Sequence, residues 1–153
     1  MKKTLKMAVA LALLVMVFTL TACTPRAAIT AGEFAEKAGA AGYTIIDAKD
    51  QFGEGDVVEY KIAAKDGYQI EFGVVPTIGQ ANVAYNQNKA NFELEKGNVS
   101  SNSEVNLSNY SKYTQNSDGT YYVVSRIDAT FIYAKVDAKY KDEVSNFIQS
   151  LGY

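Results

Sequence analysis

The sequence predicts an α+β domain in which helices pack on an antiparallel sheet, in the order α-βββ-α-βββ-α over residues 30–153. Three observations carry this. Thr30-Ala31-Gly32-Glu33 and Thr77-Ile78-Gly79-Gln80 are capping-box signatures, each followed by apolar residues at helical spacing. Between and after them run stretches that alternate apolar with polar residues, and tight pairs such as Asp66-Gly67 and Asp128-Ala129 separate these stretches at hairpin spacing. The order is compatible with a sandwich of two or three layers.

Each element has its own warrant. In the first helix Phe34, Ala38 and Ala41 fall on one face, and Gly42 supplies the stop. Tyr43 to Ala48 is short and β-like, and Lys49 to Gly55 reads as a loop. Asp56 to Lys65 and Tyr68 to Val75 form a hairpin. A three-residue Lys65-Asp66-Gly67 loop would set Phe72 opposite Tyr60 and Ile70 opposite Ile62, matching apolar with apolar; a two-residue loop would set Phe72 opposite Lys61. The first register is expected. Pro76 ends that strand. A second helix then runs to about Lys96, with Ile78, Ala81, Ala84, Tyr85 and Phe92 on its buried side and Gly97 as its stop. Asn98 to Asn106 is polar and Ser/Asn-rich, and reads as a mobile loop. Tyr110 to Gln115 and Thr120 to Ile127 form a second hairpin, Thr130 to Asp137 follows, and Asp137 caps a final helix with Tyr140, Val144, Phe147, Ile148 and Leu151 on one face.

The last hairpin is informative on both faces. A two-residue loop puts Tyr121, Val123, Ser125 and Ile127 on one face with Thr130, Ile132, Ala134 and Val136. The opposite face pairs Arg126 with Phe131, Val124 with Tyr133 and Tyr122 with Lys135. A sheet with one wet face would be more polar there. Either helices cover both faces, or this side is a binding surface, with Arg126, Phe131, Tyr133 and Tyr122 as the candidate residues.

The N-terminus is of a different kind. Lys2, Lys3 and Lys6 form a basic region ahead of an uncharged apolar run from Met7 to Leu20, the pattern of a signal peptide over residues 1–22. A helix over that run would span about 21 Å, short of the ~30 Å hydrocarbon core, which argues against a membrane span. The run ends in Leu20-Thr21-Ala22-Cys23, and Cys23 is the only cysteine in the chain. This tetrapeptide resembles the bacterial lipobox. The resemblance implies cleavage by signal peptidase II before Cys23, a covalent diacylglycerol and N-acyl lipid on the cysteine, and residence on the outer face of the cytoplasmic membrane. Residues 23–29 would then be the lipidated cysteine and a short tether, whose last six residues span roughly 13 Å if flexible.

Composition narrows the function. Three of the fifteen lysines and arginines, and none of the seventeen acidic residues, lie in residues 1–22, so the mature chain carries twelve basic residues against seventeen acidic ones. That balance, with no basic stripe, argues against nucleic acid. It also leaves anchoring to the acyl chains, since two chains hold stably where one is marginal. There is no histidine, and no free thiol once Cys23 is lipidated, so the usual neutral-pH acid–base and thiol mechanisms lack their residues. No G-x-S-x-G, P-loop or G-x-G-x-x-G is present. A carboxylate-based cell-wall hydrolase is the catalytic alternative. Small-solute binding, or weak Ca²⁺ binding at Asp47, Asp50, Glu54 and Asp56, is another. Eleven tyrosines, all in the mature part, suit peptide or glycan recognition as well as ordinary strands.

Taken together, the lipobox, the short tether and a small α/β domain ending in Tyr140-Lys141-Asp142-Glu143-Val144…Leu151-Gly152-Tyr153 resemble small lipoproteins of unknown function in low-GC Gram-positive bacteria. The element order is similar to the PsbP/Mog1-like α/β/α sandwich, which implies a binding or accessory domain without catalysis. The expected function is a membrane-anchored, extracytoplasmic, non-catalytic lipoprotein that binds a protein, peptide or glycan near the bilayer, with no metal or cofactor beyond the lipid on Cys23.

Overall fold

A computed structural model describes residues 25–153; the signal peptide, its Leu20, Thr21 and Ala22, and Cys23 lie outside the described residues. The fold consists of α1 (Ala31–Ala40), β1 (Thr44–Asp47), β2 (Glu59–Lys65), β3 (Tyr68–Val74), α2 (Ile78–Leu94), β4 (Ser100–Asn106), β5 (Tyr110–Ser117), β6 (Thr120–Ile127), β7 (Thr130–Asp137) and α3 (Lys141–Ser150). Single 3-10 turns at Lys49–Gln51 and Ala138–Tyr140 complete it. The strands form one seven-stranded sheet in the order β1-β2-β3-β7-β6-β5-β4, with every neighbouring pair antiparallel. The fold class is thus the expected α+β sandwich, with a strand added to its second half.

That strand is β4. The polar Ser/Asn segment is ordered by seven main-chain register partners on β5, from Ser100↔Ser117 to Asn106↔Ser111. Almost all of its side chains are exposed. Backbone pairing at a sheet edge needs no apolar face, so the side-chain pattern carried no trace of it.

Helices cover both faces. On one, α1 and α3 bury Phe34, Ala38, Val144, Phe147, Ile148 and Leu151 against Ile70, Phe72, Val123, Ile132 and Ala134 of the central strands. Phe34 stacks on Phe72 with ring centroids 4.9 Å apart. Tyr153 closes this core: it is buried, meets Phe72 edge-on at 6.0 Å, and shares a hydrogen bond with the Thr130 hydroxyl. Burial pushes its phenol up to about 12. On the other face α2 buries Ala81, Tyr85 and Phe92, with Ala84 half-buried. Ile78, expected inside, is the first residue of α2 and is 51 % exposed.

Local signals hold at the starts of α1 and α2 but not of α3: Asp137 Oδ1 accepts from the Lys139 N–H at 2.9 Å and so caps the 3-10 turn Ala138–Tyr140, while α3 begins at Lys141 behind Tyr140 with no side-chain cap. Thr30 Oγ1 accepts from the Glu33 N–H at 3.1 Å and Glu33 Oε2 accepts from the Thr30 N–H at 2.8 Å, a complete capping box that holds the Glu33 carboxyl below its usual range. Thr77 caps α2 through the Gln80 N–H at 3.1 Å. The register of β6 with β7 is the expected one, including Arg126↔Phe131, Val124↔Tyr133 and Tyr122↔Lys135.

Two further expectations are corrected. The β2–β3 hairpin turns on Asp66-Gly67 alone, at φ 50° and 82°, so Phe72 faces Lys61 and Ile62 faces Glu71. Two positive φ values in succession match the right-handed twist of the flanking strands, and that turn preference outweighs apolar matching. The tether is also shorter than its sequence suggests. The Arg26 guanidinium lies 3.8 Å from the Tyr110 ring centroid, its Nη1 donates to the Gly152 carbonyl at 2.6 Å, and Asn109 Nδ2 donates to the Arg26 carbonyl at 2.8 Å. Ala28 and Ile29 pack against the α1–α3 core. The apolar pair and the cation–π contact hold Arg26–Ile29 to the domain.

Candidate functional site

The face under α2 reads as cross-strand rows. One runs Tyr60–Gly73–Phe131–Arg126–Ser111, the next Ile46–Ile62–Glu71–Tyr133–Val124–Tyr113–Glu104. Over β5 and β6, α2 covers these rows with Tyr85 and Phe92, forming one small core with Tyr113, Tyr122 and Val124, while Tyr133 is only partly enclosed. Phe92 lies 5.0 Å from Tyr122 and 5.3 Å from Tyr133, centroid to centroid. A second cluster joins Ala81 to Tyr60, Val75 and Phe131.

The candidate face named from sequence is therefore mostly interior. Arg126, Phe131 and Tyr122 are buried, and Tyr133 is half-buried. Of the two options open for this side, cover by a helix is the one realised, because α2 runs along the β5–β7 half of the sheet. Arg126 is 3 % exposed and has no carboxylate partner among the described residues. Its Nη2 reaches Ser111 Oγ at 3.3 Å and its Nη1 the Asp128 carbonyl at 3.5 Å, while Nε is unpartnered.

The uncovered part of this face is a groove of about 910 Å³. Strands β3 and β7 pair only from Ile70↔Ala134 to Val74↔Thr130. Beyond that rung Tyr68-Gln69 on one side and Lys135-Val136-Asp137 on the other line the opening, with Thr44, Glu71 and Tyr133 on the flanking rows. The ladder stops before the strands do, so a ligand here meets strand ends as well as side chains.

Glu71 is the central group. Gln69 Nε2 donates to its Oε1 at 2.7 Å, and the buried Tyr60 hydroxyl donates to Oε2. Burial, then the bond to Glu71, pushes the Tyr60 phenol far above its ordinary value; burial, then the Glu71 charge, does the same in direction for Tyr133. These phenols stay protonated, so Tyr60 serves Glu71 as a fixed donor. No cation pairs with Glu71 among the described residues. Two of the groove's three lysines are engaged with other carboxylates, Lys65 with Glu143 at 2.6 Å and Lys135 with Glu95 at 2.5 Å, and the third, Lys139, lies 4.8 Å from the Tyr140 ring centroid. Counting those two partners, Lys65, Lys135 and Lys139 face Asp66, Glu71, Asp137, Glu95 and Glu143, and the site is negative.

The acidic loop weighed for calcium is already engaged in part. Asp47 pairs with Lys61 at 2.6 Å and Asp56 Oδ2 accepts from the Gly53 N–H at 3.1 Å. Among the described residues no three acidic side chains converge as a metal site. No described helix is long and apolar enough to cross a membrane.

No family model, curated protein or solved structure matches the chain. Glu71, Gln69, Tyr60 and Thr44 were not singled out from sequence. The available signal was Glu71 itself, a carboxylate on the second face of a strand whose neighbours on that face, Ile62 and Tyr133, are apolar or aromatic.

Proposed function

We propose that the protein is a lipid-anchored, non-catalytic binding domain on the outer face of the cytoplasmic membrane, and that the β3–β7 groove takes a lysine- or arginine-bearing segment of a partner polypeptide. Support for the anchor is the placement of Cys23 behind Leu20-Thr21-Ala22 at the end of the apolar run. One observation carries the binding reading: Glu71 is held by Gln69 and Tyr60, has no cationic partner among the described residues, and sits beside Tyr133 in an open groove. A carboxylate next to an aromatic ring suits an ammonium or guanidinium group, which gains from both. The interrupted β3–β7 ladder offers an extended backbone a place to pair.

Calorimetric titration with tetralysine and with tetraglutamate tests this. The expected result is binding of tetralysine alone, weakening as salt is raised, with Glu71→Gln lowering the affinity about tenfold, or about 1.4 kcal/mol. Equal binding of the two peptides, or an unchanged affinity in Glu71→Gln, would refute it.

A further inference from the structure

The docked tether fixes which end of the domain can meet the bilayer. Cys23 stands two residues before Pro25 and three before Arg26, so at about 3.5 Å per residue its Cα lies within roughly 10 Å of the Arg26 Cα. Arg26 is clamped between Tyr110, Asn109 and Gly152. Beside that clamp is the turn joining β4 to β5, closed by the Leu107 N–H donating to the Tyr110 carbonyl at 2.7 Å, and Leu107 is 59 % exposed. The β6–β7 turn abuts it, with the Asp128 N–H donating to the Asn109 carbonyl at 3.0 Å.

The groove lies at the other end. Strand β7 begins at Thr130, next to this turn, and reaches the groove at Lys135 to Asp137. Eight residues at about 3.3 Å each separate the two ends by over 20 Å. The segment after α2 marks the same far end: the Gly97 N–H donates to Ser117 Oγ at 2.8 Å, and Leu94, just before it, is 85 % exposed.

We propose that the end bearing Leu107, Asn109 and Arg26 rests on the lipid surface, with Leu107 entering the interface and the β3–β7 groove opening away from the membrane. This rests on lipid attachment at Cys23. Two exposed leucines sit at opposite ends and Leu94 is the more exposed of them, so exposure does not select Leu107; the length of chain left to Cys23 does. An apolar side chain at that spot adds interfacial burial to the anchoring by acyl chains.

The chain contains no tryptophan, so Leu107→Trp and Leu94→Trp each carry a single indole emitter. Both full-length variants, purified from membranes in lipidated form, are reconstituted into phosphatidylglycerol-containing vesicles with brominated acyl chains. Leu107→Trp should shift to the blue and lose emission, while Leu94→Trp should do neither. Quenching of Leu94→Trp as strong as that of Leu107→Trp, or none in Leu107→Trp, would overturn the orientation. The intact mass separates this from failure of the anchor: an unlipidated Cys23 would overturn both, and a lipidated protein with unquenched Leu107→Trp would overturn the orientation alone.

Discussion

Gly73→Ala should destabilise the domain by about 2 kcal/mol, within the ~1–3 kcal/mol of an overpacked core. The φ of Gly73 is not in the left-handed region, so the backbone places no demand for glycine there. The demand comes from its row partner. A Cβ at Gly73 would lie 2.5 Å from both Cε1 and Cζ of Phe131 and 3.2 Å from Cδ1. Contact between carbons is comfortable near 3.5 Å, so the ring must retreat by about 1 Å. It has little room, since Phe131 is buried in one cluster with Tyr60, Val75 and Ala81 and is flanked along its row by Arg126. Urea unfolding should show a lower midpoint with an unchanged slope, and thermal unfolding a Tm lower by roughly 5–10 °C. Phe131→Ala alone should cost about 3–5 kcal/mol through its cavity. In the double variant the new methyl has no ring to strike, so the combined loss should fall below the sum of the singles by about 1 kcal/mol or more. A loss under ~0.5 kcal/mol in Gly73→Ala, or strict additivity in the double variant, would refute the steric account.

Arg126→Met should leave stability unchanged or raise it by about 1–2 kcal/mol in chemical denaturation, because a buried guanidinium without a carboxylate gives up a desolvation cost when replaced by an apolar chain of similar length; a loss above ~2 kcal/mol would show its two long hydrogen bonds to be worth more than that cost. Alkaline pH should unfold the domain cooperatively. Tyr60, Tyr68, Tyr85 and Tyr153 are buried, and burial raises all four phenols, Tyr153 to about 12. Their protonated forms favour the folded state, so stability is complete below the unfolded value near pH 10 and falls as pH rises through the folded values, by about 1.4 kcal/mol per pH unit for each group. Tyrosinate absorbance, unobscured by tryptophan, should rise together with the loss of far-ultraviolet dichroism; a rise that precedes unfolding and accounts for these four residues would contradict their burial.

The caps of the first two helices and the β6–β7 turn were the most legible features in the sequence. Thr30 and Glu33 form the expected box, and Asp128-Ala129 gives β6 and β7 the expected partners residue by residue. What misled was the assumption of one apolar face per strand. On β2 both faces are occupied: Tyr60 and Ile62 lie under or beside α2, while Ala63 faces α1 and α3. Apolar matching could not then choose a register, and the turn did. The same two-sidedness turned the amphipathic β6–β7 face into interior, since α2, with only Ala81, Tyr85 and Phe92 fully buried along an Asn-rich surface, gives a weak helical pattern. The groove was illegible for another reason. It arises where β3 and β7, sixty residues apart in the chain, cease to pair, and no local pattern records a ladder that ends early.

In the proposed function the β3–β7 groove, through Glu71, recognises a cationic peptide. The most direct test is backbone amide chemical-shift mapping of the ¹⁵N-labelled protein during titration with tetralysine. The shifts should concentrate at Thr44, Gln69, Glu71, Tyr133 and Lys135, saturate together, and vanish in Glu71→Gln. Shifts confined to the Asp47–Asp56 loop or to β4, or shifts at the groove that persist in Glu71→Gln, would contradict it.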